Sequence, residues 1–131
     1  MQIELPNSSL GAFSLVEAKP EISKPIARGF ATWYGPGFHR RKTANGERYD
    51  MHAKTCASPN LPFDSWIEIT NLDNGKKTLA RVNDRLPPRR KSVILDASLA
   101  IAQELDFVKK GKAKIEIRKV EKDAIVALET Q

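Results

Sequence analysis

The sequence predicts a mainly β fold, a compact barrel of five or six short strands with one helix, and three features carry that prediction. Trp66-Ile67-Glu68-Ile69-Thr70 and Ala113-Lys114-Ile115-Glu116-Ile117-Arg118 alternate apolar and polar residues with the period of two that a half-buried strand requires. The first of these runs through Asp73-Asn74-Gly75-Lys76 into a second extended segment, Lys77 to Asn83. Strand, Asn-Gly, strand is the strongest short-range hairpin signal. One stretch alone, Asp96 to Phe107, has good helical spacing, with Leu99, Ala102 and Leu105 on one face.

Taken in order, the chain opens with a weakly patterned stretch, residues 1–26, that holds Pro6, Pro20 and Pro25 and reads as an N-terminal arm or linker. Phe30-Ala31-Thr32-Trp33-Tyr34 is rich in β-formers and is closed by Gly35-Pro36-Gly37. His39-Arg40-Arg41-Lys42 is a basic loop. Asn45-Gly46 is a tight turn, since both residue types tolerate positive φ, and it presents Glu47. Residues 51–63 are mixed, with Pro59 and Pro62 limiting regular structure. After the hairpin, Pro87 and Pro88 stop the second strand just past Arg81-Val82-Asn83-Asp84-Arg85. Ser92 to Leu95 is a short apolar strand. Asp96 or Ser98 caps the helix, and Lys109-Lys110-Gly111-Lys112 ends it with cations and a glycine stop. Residues 123–131 are a C-terminal tail or a last short strand.

Bulk properties narrow the classes. The chain has 131 residues, 40% hydrophobic and 29% charged, which suits one globular domain with its own core. Lys and Arg number 22 against 16 acids, so the net charge of +6 favours an anionic partner: nucleic acid, an acidic glycan or a membrane surface. Cys56 is the one cysteine, so no internal disulfide forms; it reads as a small buried hydrophobe. One cysteine with His39 and His52 argues against a transition-metal site. No run reaches the length of a membrane span, and no basic start followed by an apolar stretch marks a signal peptide.

Two acids stand out because turn chemistry presents each beside basic residues: Glu47 after Asn45-Gly46, and Asp84 between Arg81 and Arg85. An ion pair that stiffens a turn is the plain reading of Asp84. Paired carboxylates around a sugar linkage are the functional one, and there one group must carry a proton. Flanking arginines favour the charged form instead, so that role needs burial or an arginine that points elsewhere. Trp33 and Tyr34 suit either sugar stacking or the barrel core. Basic residues do not interleave with aromatics as a nucleic-acid stacking platform requires, so no nucleic-acid partner is expected.

Five segments together closely resemble the rare lipoprotein A (RlpA-like) family: Trp33-Tyr34-Gly35-Pro36-Gly37-Phe38, Thr43-Ala44-Asn45-Gly46-Glu47, Leu61-Pro62-Phe63, Ile69-Thr70-Asn71-Leu72-Asp73-Asn74-Gly75 and Arg81-Val82-Asn83-Asp84-Arg85. The match runs from about Gly29 to Val120; each piece alone is weak, and five in order are specific. The resemblance implies a six-stranded double-psi β-barrel with one or two short helices over residues 27–122. It implies an endolytic lytic transglycosylase of the bacterial envelope. Such enzymes cleave the MurNAc–GlcNAc β-1,4 bond of peptide-free glycan strands during septation and leave 1,6-anhydro-MurNAc ends. By motif match Asp84 is the acid/base and Glu47 its catalytic or positioning partner, with Arg85, Asn83, Tyr34, Trp33, Asn45, Arg41 and Ser58 as substrate contacts. A basic groove for the sugar's carboxylates draws on Arg40, Arg41, Lys42, Arg85 and Arg89. No metal or cofactor is implied. The expected partner is the peptidoglycan glycan strand. The protein is expected to be a monomer in the periplasm, held at the outer membrane by a lipid anchor absent from this chain. Two positions depart from the family: Ser58 stands where active members carry histidine, and Leu86 replaces the glycine after Asp84-Arg85. A non-catalytic module that binds glycan or a septal partner is the alternative.

Overall fold

The computed structural model of the protein describes residues 22–87 and 92–121. Ser23–Val120 make one compact unit. The tail expected at 123–131, the arm as far as residue 21, and Arg89 lie outside the described residues.

Six strands close into a barrel: β1 (Ile22–Trp33), β2 (Thr55–Ser58), β3 (Trp66–Asn71), β4 (Lys77–Arg85), β5 (Val93–Ala97) and β6 (Lys112–Val120), in the order β1-β5-β2-β4-β3-β6. The mainly β, six-stranded expectation holds. β3 and β4 form the predicted antiparallel hairpin, with Ile69 opposite Thr78 and Glu68 opposite Leu79. Gly75 takes φ +78° at its turn, a conformation that costs a side chain strain and a glycine none. β6 pairs with β3 on the other side. Their inward residues, Ile67, Ile69, Ala80, Val82, Ile115 and Ile117, are buried together with Leu95 and Phe107 in one core. Burial of each such aliphatic side chain contributes about 1.5–3 kcal/mol.

Three boundaries differ from the sequence reading. β1 starts at Ile22, inside the stretch read as an arm. β2 lies in the segment that the prolines argued against. Its four residues, Thr55-Cys56-Ala57-Ser58, are all buried, and it sits between β5 and β4. A strand buried on both faces shows no alternation, and Pro59 falls just after it. Helix α1 covers only Leu99–Glu104. Asp96 and Ala97 are held extended by pairing with Thr32 and Trp33 of β1, so Asp96 belongs to β5 and Ser98 is the cap. The Ser98 hydroxyl accepts from the Ile101 amide, a bond of the kind that contributes about 1 kcal/mol. The helix ends at Glu104 with Leu105 as its C-cap, and Asp106, φ 61°, turns the chain away ahead of the cationic run; Gly111, φ +76°, instead turns the chain into β6.

Two irregularities shape the barrel's upper end. Along β2 and β4, Cys56 faces Val82 but Ala57 faces Asp84, so Asn83 is the extra residue of a bulge. Strict alternation would send Asp84 toward the core with Ala80 and Val82; the extra residue re-aims it. A second shift lies in β1 between Phe30 and Ala31.

Candidate active site

The turn that precedes Glu47 closes on itself. Thr43 Oγ1 donates to Asn45 Oδ1 at 2.6 Å, and the Glu47 amide donates to the same oxygen at 3.1 Å. Thr43 N donates to Glu47 O at 2.7 Å, and Gly46 takes φ +94°. Asn45 therefore holds the turn with its side chain, as an Asx motif does. The turn then docks on the end of β4. Asn45 N donates to Asn83 O at 3.3 Å, and Ala44 N donates to Asp84 Oδ1 at 2.8 Å.

Glu47 faces a bidentate guanidinium. Arg81 donates from Nη1 to Oε2 at 2.8 Å and from Nη2 to Oε1 at 2.9 Å, and buried Asn83 adds Nδ2 to Oε1 at 3.0 Å. These bonds, Arg81 first and Asn83 next, hold the carboxyl down at about 2 from its ordinary value of 4.5. Glu47 is an ionised anchor over the whole neutral range and stores no proton there. Arg81 Nη1 also meets Asp64 at 2.9 Å.

Asp84 has different company. Its Oδ1 accepts from two backbone amides, Ala44 and Arg85, each at 2.8 Å. Its Oδ2 accepts from the Tyr34 hydroxyl at 3.0 Å. Arg81 is spent on Glu47 and Asp64. Arg85 donates to Ser58 O at 2.9 Å, with its guanidinium 4.2 Å from the Phe63 ring centroid. The ion pair read at Asp84 from its neighbours is thus replaced by neutral donors, and both arginines point elsewhere. Tyr34 lies flat on Tyr49, ring centroids 4.5 Å apart, a stack that contributes about 0.5–1.5 kcal/mol and fixes the hydroxyl. Burial, and then the charge of Asp84, push the Tyr34 hydroxyl well above its ordinary range, so it stays a neutral phenol.

An open cleft of about 420 Å³ lies over Asp84. Arg41, Lys42 and Arg85 supply its positive charges, and Asp84 and Asp96 its negative ones, with Tyr34 and Ala57 between. Of the residues expected at the site, Asp84, Arg85, Tyr34 and Arg41 line this cleft. Glu47, Asn83 and Asn45 stand behind it, in the network that holds the turn against β4. Trp33 alternates to the other face: its indole donates to Val108 O at 3.2 Å and packs on the core. Ser58, at the family's histidine position, is 1% exposed, and its hydroxyl accepts from the Asn60 and Leu61 amides, which turns the chain out of β2. Leu86 packs on the Tyr34–Tyr49 cluster at the edge of the cleft.

Sequence reasoning missed Asp96, assigned there to a helix cap, and Phe38, whose exposed ring carries the Arg41 guanidinium 5.5 Å from its centroid. Two signals marked them: Asp96 breaks an apolar run, and Phe38 sits one residue past Gly-Pro-Gly. Among the described residues no group of three His, Cys, Asp or Glu side chains is placed to hold a metal. Cys56 is fully buried, and burial pushes its thiol up, so it is an inert core residue as expected.

A family model described as "Lytic transglycolase" matches residues 26–117. Among similar proteins, one from Neisseria meningitidis serogroup A, named endolytic peptidoglycan transglycosylase RlpA, is 45% identical over 102 residues, 78% of this chain and 42% of that protein. The protein of the same name from Pseudomonas aeruginosa is 44% identical over 93 residues, 71% of this chain and 27% of its own. The chain thus spans less than half the length of these relatives. Among solved structures, the Streptomyces papain inhibitor superposes with a TM-score of 0.58 at 20% identity, covering 76% of this chain and 96% of that one, a likeness of fold alone.

Proposed function

The chain belongs to the RlpA-like lytic transglycolase family, with its double-psi β-barrel, and from that premise we propose that it cleaves peptidoglycan glycan strands. The reading is an endolytic lytic transglycosylase that breaks the MurNAc–GlcNAc β-1,4 bond of peptide-free strands and leaves 1,6-anhydro-MurNAc ends. The observation that carries it is the division of labour between the two oxygens of Asp84. Oδ1 is tied to two backbone amides, which only donate. Oδ2 meets a hydroxyl, which donates to a carboxylate and accepts from a carboxylic acid. Oδ2 is therefore the oxygen that loads and unloads a proton without disturbing the rest of the site.

The chemistry then needs one group in two roles. Asp84 gives its proton to the glycosidic oxygen, and the C1–O bond pair leaves with that oxygen. The 6-hydroxyl oxygen of the same sugar bonds to C1, and its proton returns to Asp84 Oδ2. Arg41, Lys42 and Arg85 face the strand's lactyl carboxylates, and Arg85 is oriented for this by Phe63 and Ser58 O. Glu47 acts as a positioning residue: it holds Arg81 and Asn83, and its turn delivers the Ala44 amide to Asp84.

Incubation of peptide-free glycan strands with the protein, followed by mass spectrometry of the new ends, tests the reading. Internal cleavage with 1,6-anhydro ends is the expected result. Hydrated reducing ends, or co-sedimentation with glycan and no new ends, contradict it, the latter in favour of a binding module. We place the protein in the periplasm at the outer membrane, as a monomer acting in septation. Fractionation that finds it in the cytosol opposes that placement.

A further inference from the structure

Among the described residues the exposed large hydrophobic side chains are Ile26, Phe38, Phe63 and Leu72, and the two phenylalanines each carry an arginine. The Arg41 guanidinium lies 5.5 Å from the Phe38 ring centroid, and that of Arg85 lies 4.2 Å from the Phe63 centroid. Local structure builds both pairs. Phe38 ends a single 3-10 turn, Pro36–Phe38, and the Arg41 amide donates back to Phe38 O at 3.0 Å, which folds the arginine over the ring. Next to Phe63, the Asp64 amide donates to Val82 O at 2.8 Å and fixes that segment beside β4, while Arg85 is tied to Ser58 O. Both arginines line the Asp84 cleft. Arg28 and Arg118 meet Glu116, and Arg81 meets Glu47 and Asp64. Among the described residues neither Arg41 nor Arg85 has a carboxylate on its guanidinium. A guanidinium stacked on a ring uses its face and keeps its in-plane N–H donors for a carboxylate. Asp84 connects to the two pairs through different oxygens. Its Oδ1 accepts from the Arg85 amide; its Oδ2 accepts from the Tyr34 hydroxyl, and the Phe38 ring packs edge-on against Tyr34, centroids 6.1 Å apart.

We infer that Phe38–Arg41 and Phe63–Arg85 are two carboxylate clamps that take the lactyl groups of successive MurNAc residues, with the scissile bond between them. The inference rests on the transglycosylase reading and assigns the specificity of that site. A lactyl group recurs once per disaccharide along the strand, so the cut bond has one on the sugar being cleaved and the next one sugar beyond the break. A strand stripped of peptide presents each as a free carboxylate. A peptide-bearing strand presents an amide, which offers no charge and no bidentate acceptor to a guanidinium. The clamps therefore select peptide-free strands, and their pairing seats Asp84 at an internal bond. Phe38 and Phe63 are positioning residues, since they act through the arginines.

The test compares peptide-free glycan strands with the same strands after their lactyl carboxylates are capped as methylamides, which removes the charge and keeps the sugar rings. Wild-type kcat/KM is expected to fall on the order of 100-fold on capped strands, roughly tenfold for each carboxylate. Arg41→Gln and Arg85→Gln should each lose about tenfold on free strands and each keep part of the free-over-capped preference; the double variant should lose most of it. Phe38→Leu and Phe63→Leu should raise KM several-fold on free strands and leave it unchanged on capped ones, a difference that a merely structural role does not produce. Equal wild-type turnover of the two substrates overturns the inference without any variant. A single arginine variant that loses the whole preference overturns the pairing. Wild-type protein that makes no anhydro ends overturns the transglycosylase reading, and co-sedimentation then decides on the clamps: tighter binding of free than of capped strands supports them, and equal binding overturns them.

Discussion

At the residue scale, Tyr34 is the one side chain among the described residues that hydrogen-bonds to the Asp84 carboxylate. Removing its hydroxyl in Tyr34→Phe leaves the stack on Tyr49 in place and strips Oδ2 of its reversible partner. A loss of turnover of roughly tenfold is expected, with a stability change of about 1 kcal/mol or less by chemical denaturation. Glu47 behaves differently. Its folded value is depressed, so the ion pair with Arg81 stabilises fully above the ordinary carboxylate value of 4.5 and is lost as pH falls toward about 2. The wild type should therefore lose melting temperature over that window. Glu47→Gln should start lower at neutral pH and show a shallower fall through the window, visible in melting curves at stepped pH. The carboxyl is more than a third exposed, so screening limits the difference to roughly 1 kcal/mol. Both acids were legible in the sequence, because each is presented by a turn or a strand end. Their partners were not. Arg81 and Arg85 neighbour Asp84 in the chain, yet Arg81 turns to Glu47 and Arg85 to Ser58 O and Phe63, contacts that only the closed barrel creates.

At the element scale, the site is a turn clamped on a strand end. Gly46 takes φ +94° there, a region that strains any residue with a Cβ. Gly46→Ala should cost about 1 kcal/mol, and it should also lower turnover, because the same turn brings the Ala44 amide to Asp84. A substitution that lowers stability with full turnover retained would detach the turn from the chemistry. The hairpin of β3 and β4 was readable from Asn74-Gly75, since local turn chemistry fixes the register of its flanking strands. The bulge at Asn83 was not. No glycine or proline marks it, and it exists because β2, itself hidden by uniform burial, lies alongside. That bulge is what aims Asp84 into the cleft. The sequence thus identified the acid without the device that orients it, and the overlong helix hid Asp96 as a strand residue.

At the scale of the whole molecule, the hairpin is the one neighbouring pair in the barrel order that is also consecutive in sequence; β5, β2 and β4 come together across long connections. Parallel pairing of β1 with β5 and of β2 with β4 has no local sequence signal. The resemblance to a known family supplied the topology that patterning could not. The net charge of +6, with Arg41, Lys42 and Arg85 in the cleft, predicts binding to anionic glycan that weakens with salt. Raising ionic strength from about 0.05 to 0.5 M should lower affinity several-fold in a co-sedimentation assay, and an unchanged affinity would assign binding to sugar contacts alone. The central claim is that Asp84 carries the proton. It is tested most directly by the rate at which Asp84→Asn forms 1,6-anhydro ends on peptide-free glycan strands. Asparagine still accepts from the Ala44 and Arg85 amides and still meets the Tyr34 hydroxyl, so the fold and glycan binding should persist. Turnover should fall by at least about 100-fold. A folded Asp84→Asn protein that makes anhydro ends at the wild-type rate would contradict the account.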